Sequence, residues 1–234
     1  LAGNPMTQAA EQRALAEAAA PLQAEALQWH ELLGEGASGQ VHRVSRRASH
    51  CVSRQVGDAQ APAELAVKTF KAAHTSDGTP QSELAAGLLA GQHPRHPQLL
   101  TPLAAVAGLP DQQLAMALPL LPPGMQPLAG PPSFATCTRD VYAPDARWPA
   151  EVAQALLANV SSAVAHLHAR GVLHGDVYAH NLLWQPATGD AVLSDFGAAA
   201  LLHGFAPQQV AQLQQIEQRA MQVLRDEVLA RVSA

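Results

Sequence analysis

His174-Gly175-Asp176-Val177-Tyr178-Ala179-His180-Asn181, followed downstream by Asp195-Phe196-Gly197, is the stretch on which the reading of this chain turns. Asp176 can accept a hydrogen bond from an attacking hydroxyl. Asn181 and Asp195 offer hard oxygen ligands of the kind magnesium takes when it bridges nucleotide phosphates. Each of the three alone reads as a solvated loop residue, so their order together carries the weight. Apolar runs at 182–184 and 191–193, around a turn at Gly189-Asp190, predict two short strands between them.

Upstream, Gly34-Glu35-Gly36-Ala37-Ser38-Gly39-Gln40-Val41 places glycines where a backbone must approach phosphate oxygens without Cβ atoms in the way. An ordinary hairpin loop is an equal reading of these residues alone. Residues 30–44 read as strand, tight loop, strand, which argues against a dinucleotide-binding turn, since that needs a helix after the glycines. Lys68, in Ala66-Val67-Lys68 on a strand predicted over 65–70, is one of two lysines in the chain. It offers a cation to the inner phosphates, with an exposed edge lysine as the plain alternative. Glu83, the only acidic residue on a helix predicted over 80–91, is its expected partner.

Further outward, Ala, Glu, Gln and Leu over 8–29 predict two short helices interrupted at Pro21, and 45–62 reads as a polar connecting loop. An apolar strand is predicted over 114–118. Prolines at 119, 122, 123, 127, 131 and 132, with Gly124 and Gly130, then stop regular structure and mark a boundary between two lobes. Val152, Leu156, Val160, Val164 and Leu167 recur at steps of three and four and predict a helix over 149–170, closed by Arg170-Gly171. A terminal helix is predicted over 208–232, and no internal repeat is visible.

With 234 residues, 48% hydrophobic and 14% charged, the chain can bury the core of one large domain or two packed lobes. A net charge of -5 and the lack of any Lys/Arg-dense stretch exclude nucleic acid as the expected partner. Cys51 and Cys137 are too few for a disulfide framework, so a reducing, cytoplasmic setting is expected. No apolar run of about 18 residues and no signal-peptide pattern is present, so no membrane association is expected. From its start at Leu1 rather than Met, the chain is expected to be an excised fragment. His166 and His168 point to different helix faces, and His93 and His96 flank prolines, which argues against a zinc site.

Through the glycine loop, Lys68, the 174–181 stretch and Asp195-Phe196-Gly197, the chain resembles the eukaryotic-like protein kinase superfamily over about residues 30–197. More narrowly, Thr75-Ser76-Asp77-Gly78, Ala129-Gly130-Pro131-Pro132-Ser133 and 174–181 resemble bacterial protein kinases linked to leucine-rich repeats. Leu1-Ala2-Gly3-Asn4-Pro5 is similar to the tail of such a repeat in a parent chain. The resemblance implies an α+β, bilobal fold: a helical extension over 1–29, a small β-rich N-lobe over 30–118, and a hinge with a shortened helical C-lobe over 119–234. It implies ATP in the cleft against Gly34, Gly36, Ser38, Gly39, Val41, Ala66, Lys68, Met116 and Leu118. Lys68 is then paired with Glu83, Asp176 is the catalytic base, and Asn181 and Asp195 hold Mg2+. Glu217 is the carboxylate that tethers the catalytic loop from below.

Departures from the family pattern set further expectations. Gly175 stands where many protein kinases carry the arginine that receives an activation-loop phosphate, and residues 198–232 contain no Ser, Thr or Tyr. Activity is therefore expected not to depend on phosphorylation there. Tyr178 replaces a lysine that helps neutralise the transferring phosphate, with Arg139 as the candidate substitute. The short segment after Asp195 lacks an Ala-Pro-Glu signature and the peptide-docking elements. Val210, Leu213, Ile216 and Val223 predict an exposed apolar face that favours a homodimer or docking onto an adjacent domain. With Met116 at the back of the pocket, Pro119 falls where the hinge normally offers an N–H, so modest nucleotide affinity is expected. Three functions stand: a protein Ser/Thr kinase that autophosphorylates, a small-molecule hydroxyl kinase resembling aminoglycoside and choline kinases, and an ATP-binding pseudokinase acting as an interaction module.

Overall fold

An almost unbroken apolar run such as Leu65-Ala66-Val67 through Phe70 suits a strand covered on both faces. In the computed structural model this is β4 (Glu64–Phe70), with six consecutive buried residues. It lies inside a six-stranded sheet ordered β1 (Leu22–Gln23), β5 (Ala104–Ala107), β6 (Ala115–Pro119), β4, β3 (Gly39–Arg46) and β2 (Leu27–Glu35). All pairings are antiparallel except β1 with β5. The structure describes residues 5–36, 38–47, 63–72, 74, 78–133, 135–136 and 139–233. Both cysteines, Ala37, most of the 45–62 loop, Thr75-Ser76-Asp77 and the first four residues of the repeat-like tail lie outside the described residues.

Of the two helices predicted over 8–29, only α1 (Pro5–Ala16) forms. The second gives way to β1, a 3-10 turn over Ala24–Ala26, and the start of β2. Leu27 and Trp29 pair with Arg46 and Val44, and Leu27 is buried with Val44, Val67 and Ala117. Sheet burial there outweighs the helix preference of Ala-Glu-Ala-Leu. The sheet thus begins inside the span expected to be a helical extension. No strand was predicted at β5, whose Ala-Ala-Val-Ala sequence carries little β preference.

The C-terminal half is built on α3 (Ala150–Ala169), whose predicted stripe of Val152, Leu156, Val160, Val164 and Leu167 is buried. It packs over β9 (Leu182–Trp184) and β10 (Ala191–Leu193), the two strands predicted around Gly189-Asp190. The proline-rich segment contains one short strand that was not predicted, β7 (Gln126–Pro127). It sits at the edge of this small sheet, where a proline that cannot donate is tolerated. β8 (Val172–Leu173) pairs with β11 (Ala200–Leu201). The final helix α4 (Pro207–Leu229) returns across α3 and buries Leu224 and Val228. Of its predicted apolar face, Val210 and Leu213 pack against Leu173, Ala200 and Leu202, while Ile216 at 61% and Val223 at 40% exposure face solvent. The fold is α+β and two-lobed, with a sheet-rich N-terminal region and a helical C-terminal region. Among the described residues no helix is long and apolar enough to cross a membrane.

α1 adds a contact that the sequence did not announce. Thr7, Ala10 and Ala14 share one helical face; Thr7 and Ala14 are buried and Ala10 packs against the C-lobe core. The helix lies against both α2 (Pro80–Ala90) and β11. Thr7 Oγ1 donates to the Leu201 carbonyl at 3.4 Å, and Leu15 packs against the cluster that holds Leu84 of α2.

Candidate active site

The cleft between the lobes is a cavity of about 540 Å³. Gly34, Gly36, Ser38, Gly39, Val41, Ala66, Lys68, Met116 and Leu118 all line it, together with Glu83, Leu183, Ser194 and Asp195. β4 aims Lys68 into it, and α2 brings Glu83 to meet it. Thr79 caps α2 by accepting from Ser82 N at 3.1 Å, and Pro80 occupies the first turn. One turn beyond Glu83, Gly87 settles onto Pro102, whose Cδ lies 2.5 Å from where a Cβ would stand. No larger residue there lets α2 sit so close. Lys68 Nζ consequently lies 2.6 Å from Glu83 Oε1, with side-chain exposures of 9% and 1%, and 3.6 Å from Asp195 Oδ2.

Register places the hinge. Met116 pairs with Lys68 and Leu118 with Ala66, while Pro119 is still within β6 opposite Leu65. The residue at the end of the strand abreast of Ala66 is therefore Leu118 rather than Met116. Beyond it Leu120 and Leu121 line the cleft, and these two residues carry N–H groups where Pro119, Pro122 and Pro123 have none. The expected loss of a hinge donor at Pro119 is thus displaced from the segment that follows the strand.

On the opposite wall, His174 is fully buried, and burial pushes its pKa below the ordinary value. Its Nε2 sits 3.0 Å from the Ser194 carbonyl, and its Nδ1 accepts from Asp176 N at 3.4 Å, so the ring is neutral with its hydrogen on Nε2. Phe196 packs 5.3 Å from it, centroid to centroid. Asp195 adopts a left-handed backbone, φ 63°, and its Oδ1 accepts from Gly197 N at 3.0 Å. That conformation suits Asp among non-glycine residues and turns the carboxylate toward Lys68.

Asn181 donates through Nδ2 to both the Asp176 carbonyl, 2.9 Å, and Asp176 Oδ2, 2.7 Å. Its amide oxygen is therefore turned away from Asp176. Ser194 N and Oγ both donate to the Asn181 carbonyl at 2.9 Å, which joins the two loops that carry Asn181 and Asp195. Two oxygen donors from adjoining loops, one charged and one neutral, form a set that fits a hard divalent cation.

Asp140, which the sequence reading did not single out, organises the loop from behind. Its buried carboxylate accepts from Ala179 N at 3.0 Å and His180 N at 2.9 Å, and contacts His180 Nδ1 at 2.7 Å. Nothing in its own neighbourhood marks it; only the unusual His180 before Asn181 hints that a carboxylate must lie near. Burial works against the His180 cation, yet Asp140 and Asp176 outweigh it and raise the pKa to about 9. Burial likewise works against the Asp176 and Asp140 carboxylates, but hydrogen bonds from His180, with Asn181 and the backbone, hold both below the ordinary range. His180 Nε2 lies 3.5 Å from Asp176 Oδ2.

Glu217, on α4, is buried; its Oε1 accepts from Gly175 N at 2.7 Å and its Oε2 meets His168 Nε2 at 2.7 Å. Gly175 has φ 79°, and a Cβ there would stand 2.3 Å from the Ala198 carbonyl oxygen. The arginine common at this point has no room.

Order of motifs, sheet register and cleft geometry converge on one family, whose members transfer phosphate from ATP with divalent metal ions. A sequence model described as the protein kinase domain matches residues 27–216. The chain belongs to the protein kinase family and is a kinase-type phosphotransferase.

Proposed function

We propose that the chain is an ATP- and Mg2+-dependent kinase acting on Ser or Thr hydroxyls of protein, its own included, with Asp176 as catalytic base. The observation that carries this reading is the assembled set: Lys68 on Glu83 at 2.6 Å and near Asp195, with Asn181 bonded to Asp176 at 2.7 Å. Asn181 and Asp195 would hold the metal, which supplies neutralisation of the phosphate charge. Lys68, fixed by Glu83, binds and orients the inner phosphates in the cleft under the glycine loop, and Leu120 or Leu121 offers a backbone donor to the adenine ring of ATP. Asp176 accepts the proton of the acceptor hydroxyl as that oxygen bonds to the γ-phosphorus. The bond to the β–γ bridging oxygen breaks, and its electron pair leaves with ADP. A carboxyl held below its ordinary pKa stays ionised at neutral pH, so it orients the hydroxyl more than it pulls on it.

A second reading, a small-molecule hydroxyl acceptor, is favoured by one observation. Only residues 202–206 separate β11 from α4, which leaves little chain to shape a groove for a peptide. Intact-mass spectrometry of the protein with ATP and Mg2+, beside Asp176→Ala and Asp195→Ala, separates the two. Added phosphate in the unsubstituted protein alone supports the protein kinase. No added mass, with ADP formed only when aminoglycosides or choline-like alcohols are supplied, supports the second reading. Nucleotide binding without turnover under either condition sinks both and leaves an ATP-binding scaffold.

A further inference from the structure

Two cations meet the catalytic loop in different electrostatic positions. His180 lies between Asp140 and Asp176, so its charge is answered within the protein. Arg139 forms no ion pair among the described residues, because the carboxylate beside it in sequence, Asp140, is turned onto Ala179 and His180. Its guanidinium carbon rests 4.1 Å from the centroid of the Tyr178 ring, and Nη2 donates to the Val177 carbonyl at 3.3 Å. That carbonyl belongs to the residue directly after the base. The Arg139 Nε is buried without a hydrogen-bond partner among the described residues.

These features are costly unless something answers them. A guanidinium has five donors and is always charged, and a buried donor left unpaired loses the solvation it had in water. Stacking on an aromatic ring fixes the position of the fork but neutralises nothing. Tyr178, two residues after Asp176, brings a ring and a hydroxyl but no charge. The ring acts as a shelf, with the ring of His180 5.5 Å away, centroid to centroid. Cation and shelf come from segments 39 residues apart, one ahead of α3 and one after it, and meet beside the base.

We propose that Arg139, held on the Tyr178 ring, meets the negative charge of the phosphoryl group during its transfer, the task that Tyr178 itself cannot perform. This inference rests on the kinase reading above. Arg139 contributes hydrogen bonds and charge only: the bond made to the acceptor oxygen, the bond broken to ADP and the proton taken by Asp176 are unchanged. His180 is the weaker choice for the same task because two carboxylates already share it.

The test moves the charge. The full chain is compared with Arg139→Ala, Tyr178→Lys and the double variant Arg139→Ala/Tyr178→Lys. Turnover of Mg-ATP is followed by ADP release, and the affinity for ADP is measured by calorimetry with Mg2+, with and without fluoroaluminate, an anion that mimics the phosphoryl group in transfer. Arg139→Ala is expected to lower kcat about 100-fold with KM for ATP within about twofold, and to lose most of the gain in ADP affinity that fluoroaluminate brings. Adding Tyr178→Lys to that background is expected to restore about tenfold of the lost kcat and part of the fluoroaluminate effect. Unchanged kcat and fluoroaluminate effect in Arg139→Ala overturn the proposal. So does a loss that Tyr178→Lys cannot recover, since Arg139 then serves the fold alone. If the unsubstituted protein shows neither turnover nor a fluoroaluminate effect, the kinase reading falls first and the role of Arg139 with it; turnover that survives Arg139→Ala removes the inference only.

Discussion

The two sides of Asp176 are held together by different forces. Toward the nucleotide, Lys68, Glu83, Asn181 and Asp195 are fixed by charged and polar contacts between side chains drawn from both lobes. Toward the activation segment, the chain is held by small apolar residues and backbone bonds. β11 pairs with β8, Leu202 N donates to the Gly171 carbonyl at 2.7 Å, and the Thr7-Ala10-Ala14 face of α1 covers β11 and α2. The first side has few substitutes, because each group answers a specific charge. Damage on the second is graded, because packing yields by degrees. Residues 198–232 contain no Ser, Thr or Tyr, and α1 lies against both β11 and α2 on this side.

The largest effect should come from the charged side. Lys68→Met leaves the Glu83 carboxylate, 1% exposed, without its lysine. A loss of about 3 kcal/mol in urea unfolding is expected, along with loss of phosphate transfer. The double variant Lys68→Met/Glu83→Gln should regain most of that stability and none of the activity. If the single variant is as stable as the unsubstituted chain, the ion pair is not the clamp that joins α2 to the sheet.

A smaller effect is expected on the packed side. Ala14→Glu forces a carboxylate into a buried face and should cost about 2 kcal/mol. Because α1 bears on α2 as well as β11, kcat should fall roughly three- to tenfold in the fraction that remains folded. Gln8→Glu, on the exposed face of the same helix, is the control and should change neither quantity. An unfolding change in Ala14→Glu with untouched kcat would show that α1 stabilises the fold without bearing on the site.

This contrast also explains what could be read in advance. The Lys68–Glu83 pair and the Asp176–Asn181 contact were legible because these residue types follow one another in the order of the family pattern. The α3 stripe and the β9–β10 hairpin were legible from local periodicity. α1 as a bridge was not, because its buried face is alanine and threonine, residues that look the same exposed or covered. β1, the start of β2 and β5 were missed where alanine-rich segments took their conformation from sheet partners far along the chain. Asp140 escaped because its role exists only once the chain returns 39 and 40 residues later at Ala179 and His180.

The smallest effect is a slope in pH that tests whether Asp140 and His180 join the two sides. His180 is raised from its ordinary 6.5 to about 9 in the fold, so its contribution is complete below pH 6.5 and is lost as pH rises through about 9. Asp140 is lowered, so its contribution is complete above about pH 4 and is lost only as pH falls through its depressed value. Between pH 4 and 6.5 both are present. Stability of the metal-free protein, held with chelator, should then fall by about 2 kcal/mol from pH 6.5 to 9, after allowance for partial solvent access. His180→Gln keeps a donor for Asp140 but cannot titrate. The difference between the two stability curves isolates this group from every other that titrates in the range. Parallel curves would mean that folding does not raise the His180 pKa, so that over most of this range the Asp140 carboxylate accepts a neutral N–H and no added charge attraction holds the catalytic loop.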